Sequence, residues 1–234
     1  MCFEPDTKKK TPVPCPVPLT ELMEELPVVQ GRSQPIRVLS RLTIVMSDSS
    51  HYRASCPEYR PFDLLAVQPQ TDKLFLSACM TYDVDIICIS VSERLPFFYK
   101  RAPVYGALER GVVFEVSYAA SIRDATRRRY TLSNAMFHSD VCKGKSVIVS
   151  SAAVKALELR GPHDVMNLTQ LFGLSDRDGR DAVTTNCRAA LLHGESRKTA
   201  GGIIRTFRRA EEQKEEQSPV AKRSRHDAAE TKPV

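Results

Sequence analysis

Seven cysteines, five histidines and two carboxylates at the ends of apolar runs are the raw material for a reactive centre in this 234-residue chain. The cysteines are Cys2, Cys15, Cys56, Cys79, Cys88, Cys142 and Cys187. Their number is odd and no two lie closer than nine residues, so neither a disulfide framework nor a C-x-x-C zinc or redox pair is present. Cys79, Cys88 and Cys187 stand among apolar neighbours and read as small core hydrophobes. A metal-dependent hydrolase on a parallel α/β scaffold needs several His and Asp/Glu converging beyond the C-terminal ends of strands. Those positions are Ser47-Asp48, Gln68-Pro69, Ser90–Ser92, Glu115 with Ser117-Tyr118, and Ser150-Ser151. Only Asp48 and Glu115 are carboxylates there, and His51, His138, His163, His193 and His226 all fall elsewhere. The pattern argues against a catalytic or metal site and predicts no bound cofactor.

Phosphate-binding loops fail as well. Gly194-Glu195-Ser196-Arg197-Lys198-Thr199 lacks the Gly-Lys pair of a P-loop and follows a helix instead of a strand. Asp176-Arg177-Asp178-Gly179 lacks calcium-loop spacing and reads as acidic residues at a helix N-terminus. Neither G-x-S-x-G nor H-E-x-x-H occurs. What remains is basic: Lys100-Arg101, Arg127-Arg128-Arg129, Lys143 and Lys145, Arg188, and Arg197-Lys198. Residues 48–93 carry three Lys/Arg against seven Asp/Glu, whereas residues 94–160 carry twelve against five, so positive charge is concentrated. Such asymmetry suits a polyanion such as nucleic acid, and equally suits a solvated surface. Lys143-Gly144-Lys145 is open in the same way. It is either a close approach of backbone to phosphate or a turn with two hydrated lysines.

Elements that would position these groups emerge from the apolar pattern. Short β-branched runs at residues 36–46, 64–67, 86–91, 112–116 and 147–149 predict five strands, two of them continuously apolar as in a sheet buried on both faces. Helical stretches lie between them. Thr71 caps a helix over 72–82, Pro103 opens one that stops at Gly111, and residues 121–142 form another with a break near 130–133. Gly161-Pro162 leads into a helix bearing Val165, Leu168, Leu171 and Phe172. Ser175 caps the last helix, with Val183, Cys187, Ala190 and Leu191 on one face and His193-Gly194 as its stop. Strands alternating with helices imply right-handed crossovers and a parallel sheet.

Three regions are expected. Residues 1–18, with three lysines and alternating prolines, read as an extended, flexible lead-in. Residues 19–207 read as an α/β domain. Residues 208–234, with seven basic and six acidic residues and almost nothing apolar, read as a disordered tail whose Lys222-Arg223-Ser224-Arg225 cluster is a nuclear-import candidate. No apolar run reaches a bilayer's length and no signal peptide opens the chain, which predicts a soluble, intracellular protein without a membrane partner.

In order along the chain stand Leu95-Pro96-Phe97-Phe98-Tyr99-Lys100-Arg101, Arg128-Arg129-Tyr130-Thr131, and Cys142-Lys143-Gly144-Lys145 followed by 147–153. Glu158-Leu159-Arg160-Gly161-Pro162 with Asp164 comes next, then Asn186-Cys187-Arg188-Ala189-Ala190-Leu191-Leu192-His193-Gly194-Glu195 and Arg197-Lys198-Thr199. From Leu19 to Ile204 the sequence closely resembles the TIM-barrel-like protein subunit of nuclear and archaeal ribonuclease P, shared in eukaryotes with ribonuclease MRP. The resemblance implies a seven-stranded barrel like those of polymerase-and-histidinol-phosphatase (PHP) proteins, without their metal ligands. Members of that family begin with two further β-α units, so the expectation is an N-terminally truncated barrel of about five units. It also implies a non-catalytic, RNA-binding subunit of a ribonucleoprotein whose RNA, with Mg²⁺, removes the 5′ leader of precursor tRNA. Its partners would be the ribonuclease P RNA, MRP RNA with a role in rRNA processing, precursor tRNA and other protein subunits. Its location would be the nucleus and nucleolus. Lys100, Arg101, Arg128, Arg129, Lys143, Lys145, Arg188, Arg197 and Lys198 match the family's basic motifs, Arg127 adjoins them, and all ten are candidate RNA contacts. Two other readings are a free-standing metal-dependent phosphoesterase around Asp48 and Glu115, and a protein-interaction module using the tail.

Overall fold

A computed structural model describes residues 1–6, 11–28, 31, 35–54 and 56–199. Contacts divide the chain into Met1–Ile204 and Arg205–Val234, and every described residue lies in the first unit. The expected tail at 208–234 and its Arg223 cluster fall outside the described residues. Six parallel strands form one sheet in sequential order: β1 (Cys2–Phe3), β2 (Arg41–Met46), β3 (Leu64–Pro69), β4 (Ile86–Cys88), β5 (Val113–Ser117) and β6 (Val147–Ser150). Helices α1 (Leu19–Leu22), α2 (Asp72–Met80), α3 (Arg101–Glu109), α4 (Ala119–Arg123) and α5 (Ala125–Cys142) lie along the way. After β6 come α6 (Pro162–Leu171), α7 (Asp176–Val183) and α8 (Thr185–Lys198). The α/β, TIM-barrel-like reading holds, with one strand more than expected.

Alternation along the strands builds two cores, as the two-residue pleat requires. Leu42, Ile44, Leu65, Val67, Ile87, Phe114, Val116 and Val147 point to the outer face, against Phe75 and Ala78 of α2, Val104 of α3, and Ala135 and Cys142 of α5. With no Trp in the chain, aliphatic side chains dominate this layer. Ala66, Ile86, Cys88, Val113 and Ile148 point to the inner face, where Ala190 and Cys187 of α8 cover them. Arg41 of β2 donates to both carboxylate oxygens of Glu115 on β5 at 2.6 Å, and the Cys88 thiol donates to Glu115 at 3.0 Å. Strands three places apart in a flat sheet would be separated by roughly 14 Å, so a 2.6 Å bond across them requires a sheet curled towards this face. Among the described residues β1 and β6 are not paired with each other.

Several boundaries differ from expectation. The lead-in places a strand in the sheet, with Cys2 and Phe3 opposite Thr43 and Ile44, and Val13 packs on the outer core. Two residues suffice because the amide of Thr43 donates to the Met1 carbonyl and the terminal amine donates to that of Arg41. The long helix before β6 breaks at Asp124, not near 130–133. Asp124 is extended and its carboxylate accepts from the Arg127 amide, while buried Thr131 donates to the Arg127 carbonyl and carries the helix through. α3 starts at Arg101, two residues before Pro103. The last helix divides at Thr184. His193-Gly194 does not stop α8, because Gly194 is a close approach. A Cβ there would sit 2.8 Å from the Asp63 carbonyl oxygen, so the glycine lets the helix lie against the start of β3. No described helix is long and apolar enough to cross a membrane.

Candidate nucleic-acid interface

Helix α5 organises most of the basic residues. Its first five residues include Arg127, Arg128 and Arg129, all exposed, with no acidic residue in the first turn. Cations at a helix N-terminus oppose the macrodipole by about 0.3–1 kcal/mol each, so folding alone disfavours this placement. Asp124 offsets part of it as the cap, and Arg128 Nε donates to the Ser121 carbonyl at 2.8 Å. The neighbouring Tyr130 is 39% exposed.

The far end of α5 carries a second group. Lys143 caps the helix in the left-handed region at φ 52°, Gly144 follows at 69°, and the exposed Lys145 leads into β6. A non-glycine residue in that conformation costs about 1 kcal/mol, which fixes where the lysine side chain leaves the backbone. Lys100 and Arg101 are brought to the same end. Arg101 donates to Asp140 at 3.1 Å, and the Tyr99 hydroxyl lies 2.8 Å from His138 Nδ1 inside the core. His138 also touches the Cys142 thiol at 3.3 Å, one turn on. Burial holds the imidazole neutral, with its pKa lowered to about 3, and pushes the Tyr99 phenol and Cys142 thiol upward. This buried chain pins the segment bearing Lys100 and Arg101 onto the last turns of α5. At 1.5 Å per residue, the two basic groups stand roughly 22 Å apart along one helix.

The α8 residues are not brought to this surface. Arg197, expected as a phosphate contact, is instead a structural ion: it donates to buried Asp85 at 3.0 Å and its side chain is 8% exposed. His193 lies 2.7 Å from the other Asp85 oxygen, and the Leu65 amide donates to the same carboxylate. Burial raises the pKa of Asp85, but His193 and Arg197 outweigh it and hold the carboxyl below its usual range. Lys198 pairs with Asp63 at 3.4 Å. Arg188 is exposed on α8, which covers the opposite sheet face from α5. Lys100, Arg127, Arg129, Lys143, Lys145 and Arg188 have no side-chain partner among the described residues. Asp85 escaped the sequence reading, although its place immediately before a continuously apolar strand marks a buried carboxylate that needs a partner.

The two carboxylates at strand ends are committed elsewhere. Asp48 accepts from the Ser50 amide at 2.8 Å as a cap. Glu115 is 6% exposed and saturated by Arg41; burial raises its pKa, but the Arg41 charge and hydrogen bonds hold it below the ordinary range. Among the described residues no group of three or more His, Cys, Asp or Glu is arranged to hold a metal ion.

Residues 2–199 match the family model described as RNase P subunit p30. Over 223 residues the chain is 52% identical to the ribonuclease P protein subunit p30 of Mus musculus, a match covering 93% of this chain and 83% of that protein. It is 32% identical over 165 residues to the probable ribonuclease P protein subunit 3 of Schizosaccharomyces pombe, covering 70% of each. A chain in a cryo-EM structure of archaeal ribonuclease P with mature tRNA shares the fold, with a TM-score of 0.62 at 15% identity over 77% of this chain and 80% of that one.

Proposed function

The chain belongs to the ribonuclease P subunit p30 family and is a protein subunit of ribonuclease P; from that premise we propose that it supplies RNA contacts and leaves catalysis to the RNA. The observation that carries the RNA-binding reading is the run Arg127, Arg128 and Arg129 at the start of α5, exposed, without an ion-pair partner among the described residues, and set against a helix dipole that Asp124 offsets only in part. Charge kept where folding disfavours it serves a ligand, and a phosphate backbone is the ligand such a row fits. Lys143 and Lys145, with Lys100 and Arg101, extend the surface to the far end of the helix, so a structured RNA spanning both ends is favoured over a short strand. Arg188 makes a separate contact on the α8 side. Arg197 and Lys198 act on the fold that presents it. Further partners are precursor tRNA within the holoenzyme, other protein subunits, and MRP RNA with its role in rRNA processing. Residence is nuclear and nucleolar.

The phosphoesterase alternative is not favoured, because Arg41 occupies both oxygens of the one buried strand-end carboxylate. Affinity purification of the tagged chain from nuclear extract, with sequencing of bound RNA and an assay of precursor tRNA, tests the proposal. Recovery of one structured RNA with 5′-leader removal is expected, and its loss when Arg127 and Arg129 are changed to Glu would locate the contact. Recovery of the activity with undiminished RNA in that variant would exclude α5 as the interface.

A further inference from the structure

A cleft of about 450 Å³ opens beyond the C-terminal ends of β3 and β4. That is where parallel α/β folds bind ligands, and the size lies within the range of small-molecule sites. One wall is aromatic: Phe97, half-buried, packs at 5.5 Å between ring centroids on buried Phe75. Pro69, Ile89, Leu95 and Pro96 add apolar lining, and polar residues stand among them. Gln68, Gln70, Ser90, Glu93 and Arg94 are among the residues that line the cleft, and none of their side chains makes a hydrogen bond or ion pair within the described residues. The residues around the cleft thus offer two amides, a hydroxyl, a carboxylate and a guanidinium without partners, together with an aromatic ring. The loop that carries Glu93 and Arg94 is not loose. Asn134 of α5, itself 9% exposed, donates to the carbonyls of Val91 at 2.9 Å and Glu93 at 2.7 Å, so the helix with the basic ends also sets the cleft's rim.

We propose that this cleft takes one unpaired nucleotide of an RNA strand, its base beside Phe97, its polar edge on Gln70 and Glu93, and its phosphate on Arg94. The proposal rests on the RNA-binding reading above and names a site that reading leaves out. Unstacked bases dock on aromatic side chains and are read along their edges. The Glu93 carboxylate only accepts, so it selects a base that presents an exocyclic amino group, cytosine over uracil. Gln70, Glu93 and Arg94 are exposed, so replacing them leaves the fold intact.

The test titrates the full chain with fluorescent oligocytidylate and oligouridylate of about a dozen nucleotides, at several salt concentrations. Oligocytidylate should bind the tighter. Glu93→Ala should erase that preference, Gln70→Ala should weaken binding about tenfold, and Arg94→Ala should lower the salt slope by about 0.7. Unchanged affinity, preference and slope in these variants, with binding lost in Arg127→Ala/Arg129→Ala, would overturn the cleft and leave the RNA-binding reading standing. If the unaltered chain held neither probe even at low salt, the cleft assignment would fall, while the RNA-binding reading, which concerns a structured RNA, is decided by the purification above. Cytidine monophosphate binding as tightly as oligocytidylate would assign the cleft to a free nucleotide and overturn the RNA-strand assignment.

Discussion

His138 shows how one buried side chain governs a surface it never reaches. Fully buried and joined to Tyr99, it anchors the segment that delivers Lys100 and Arg101 to the end of α5. Burial lowers its pKa from 6.5 to about 3, whereas in the unfolded chain it titrates near 6.5. The unfolded state therefore binds the extra proton first. The stability this neutral ring confers is complete above pH 6.5 and is lost as the pH falls from 6.5 towards 3, at about 1.4 kcal/mol per pH unit. Urea denaturation between about pH 7 and pH 5 should show that slope, and His138→Gln should flatten it. Asp85 and Glu115 add their own acid loss only at lower pH, because both carboxyls are held below the ordinary range. An equal slope in the His138→Gln variant would place the titrating group elsewhere.

Helix α8 is the element whose role the basic motif conceals. Arg188 and Arg197 look alike in sequence, yet one faces water and the other neutralises Asp85 beneath the sheet. Arg197→Ala leaves a buried carboxylate without its cation and should cost about 3–5 kcal/mol in chemical denaturation. Arg188→Ala should change stability by less than about 0.5 kcal/mol. Gly194→Ala forces a methyl group against the Asp63 carbonyl, a backbone atom with little room to yield, and should cost about 1–3 kcal/mol by the same measurement. Apolar periodicity made the main strands legible, since residues 64–67 of β3 and all of β4 read as unbroken apolar runs. It made Thr71 legible too, for its hydroxyl accepts from the Leu74 amide as expected of a cap. Cys2–Phe3 was hidden because two residues carry no periodicity, and the neighbouring prolines point away from a strand. The division at Thr184 was hidden because Val183, Cys187 and Ala190 keep helical spacing across it. Which arginines are free was illegible, since that depends on Asp85 and Asp140, partners distant in sequence.

At the level of the whole molecule, charge and fold are partly opposed. The two ends of α5 hold cations along the outer layer, and α8 holds its own on the other side of the sheet. Changing both Arg127 and Arg129 to Gln relieves the helix dipole, so thermal unfolding should move upward or stay level. The same change should lower RNA affinity and reduce the slope of log K against log salt by about 0.9 for each phosphate no longer neutralised. Filter binding at several salt concentrations checks this, and a fall in both stability and affinity would mean the arginines serve the fold. The packing of α8 against the start of β4 has a further consequence in time. Asp85 waits for His193 and Arg197, which follow it by 108 and 112 residues, and the inner core waits for Ala190. During synthesis at about 5–20 residues per second, the early strands spend roughly 5–20 seconds with that face open and a carboxylate unpaired. Until α8 leaves the ribosome the nascent chain exposes a face that invites chaperones, and a pause in translation before α8 would prolong the interval in which it is prone to aggregate.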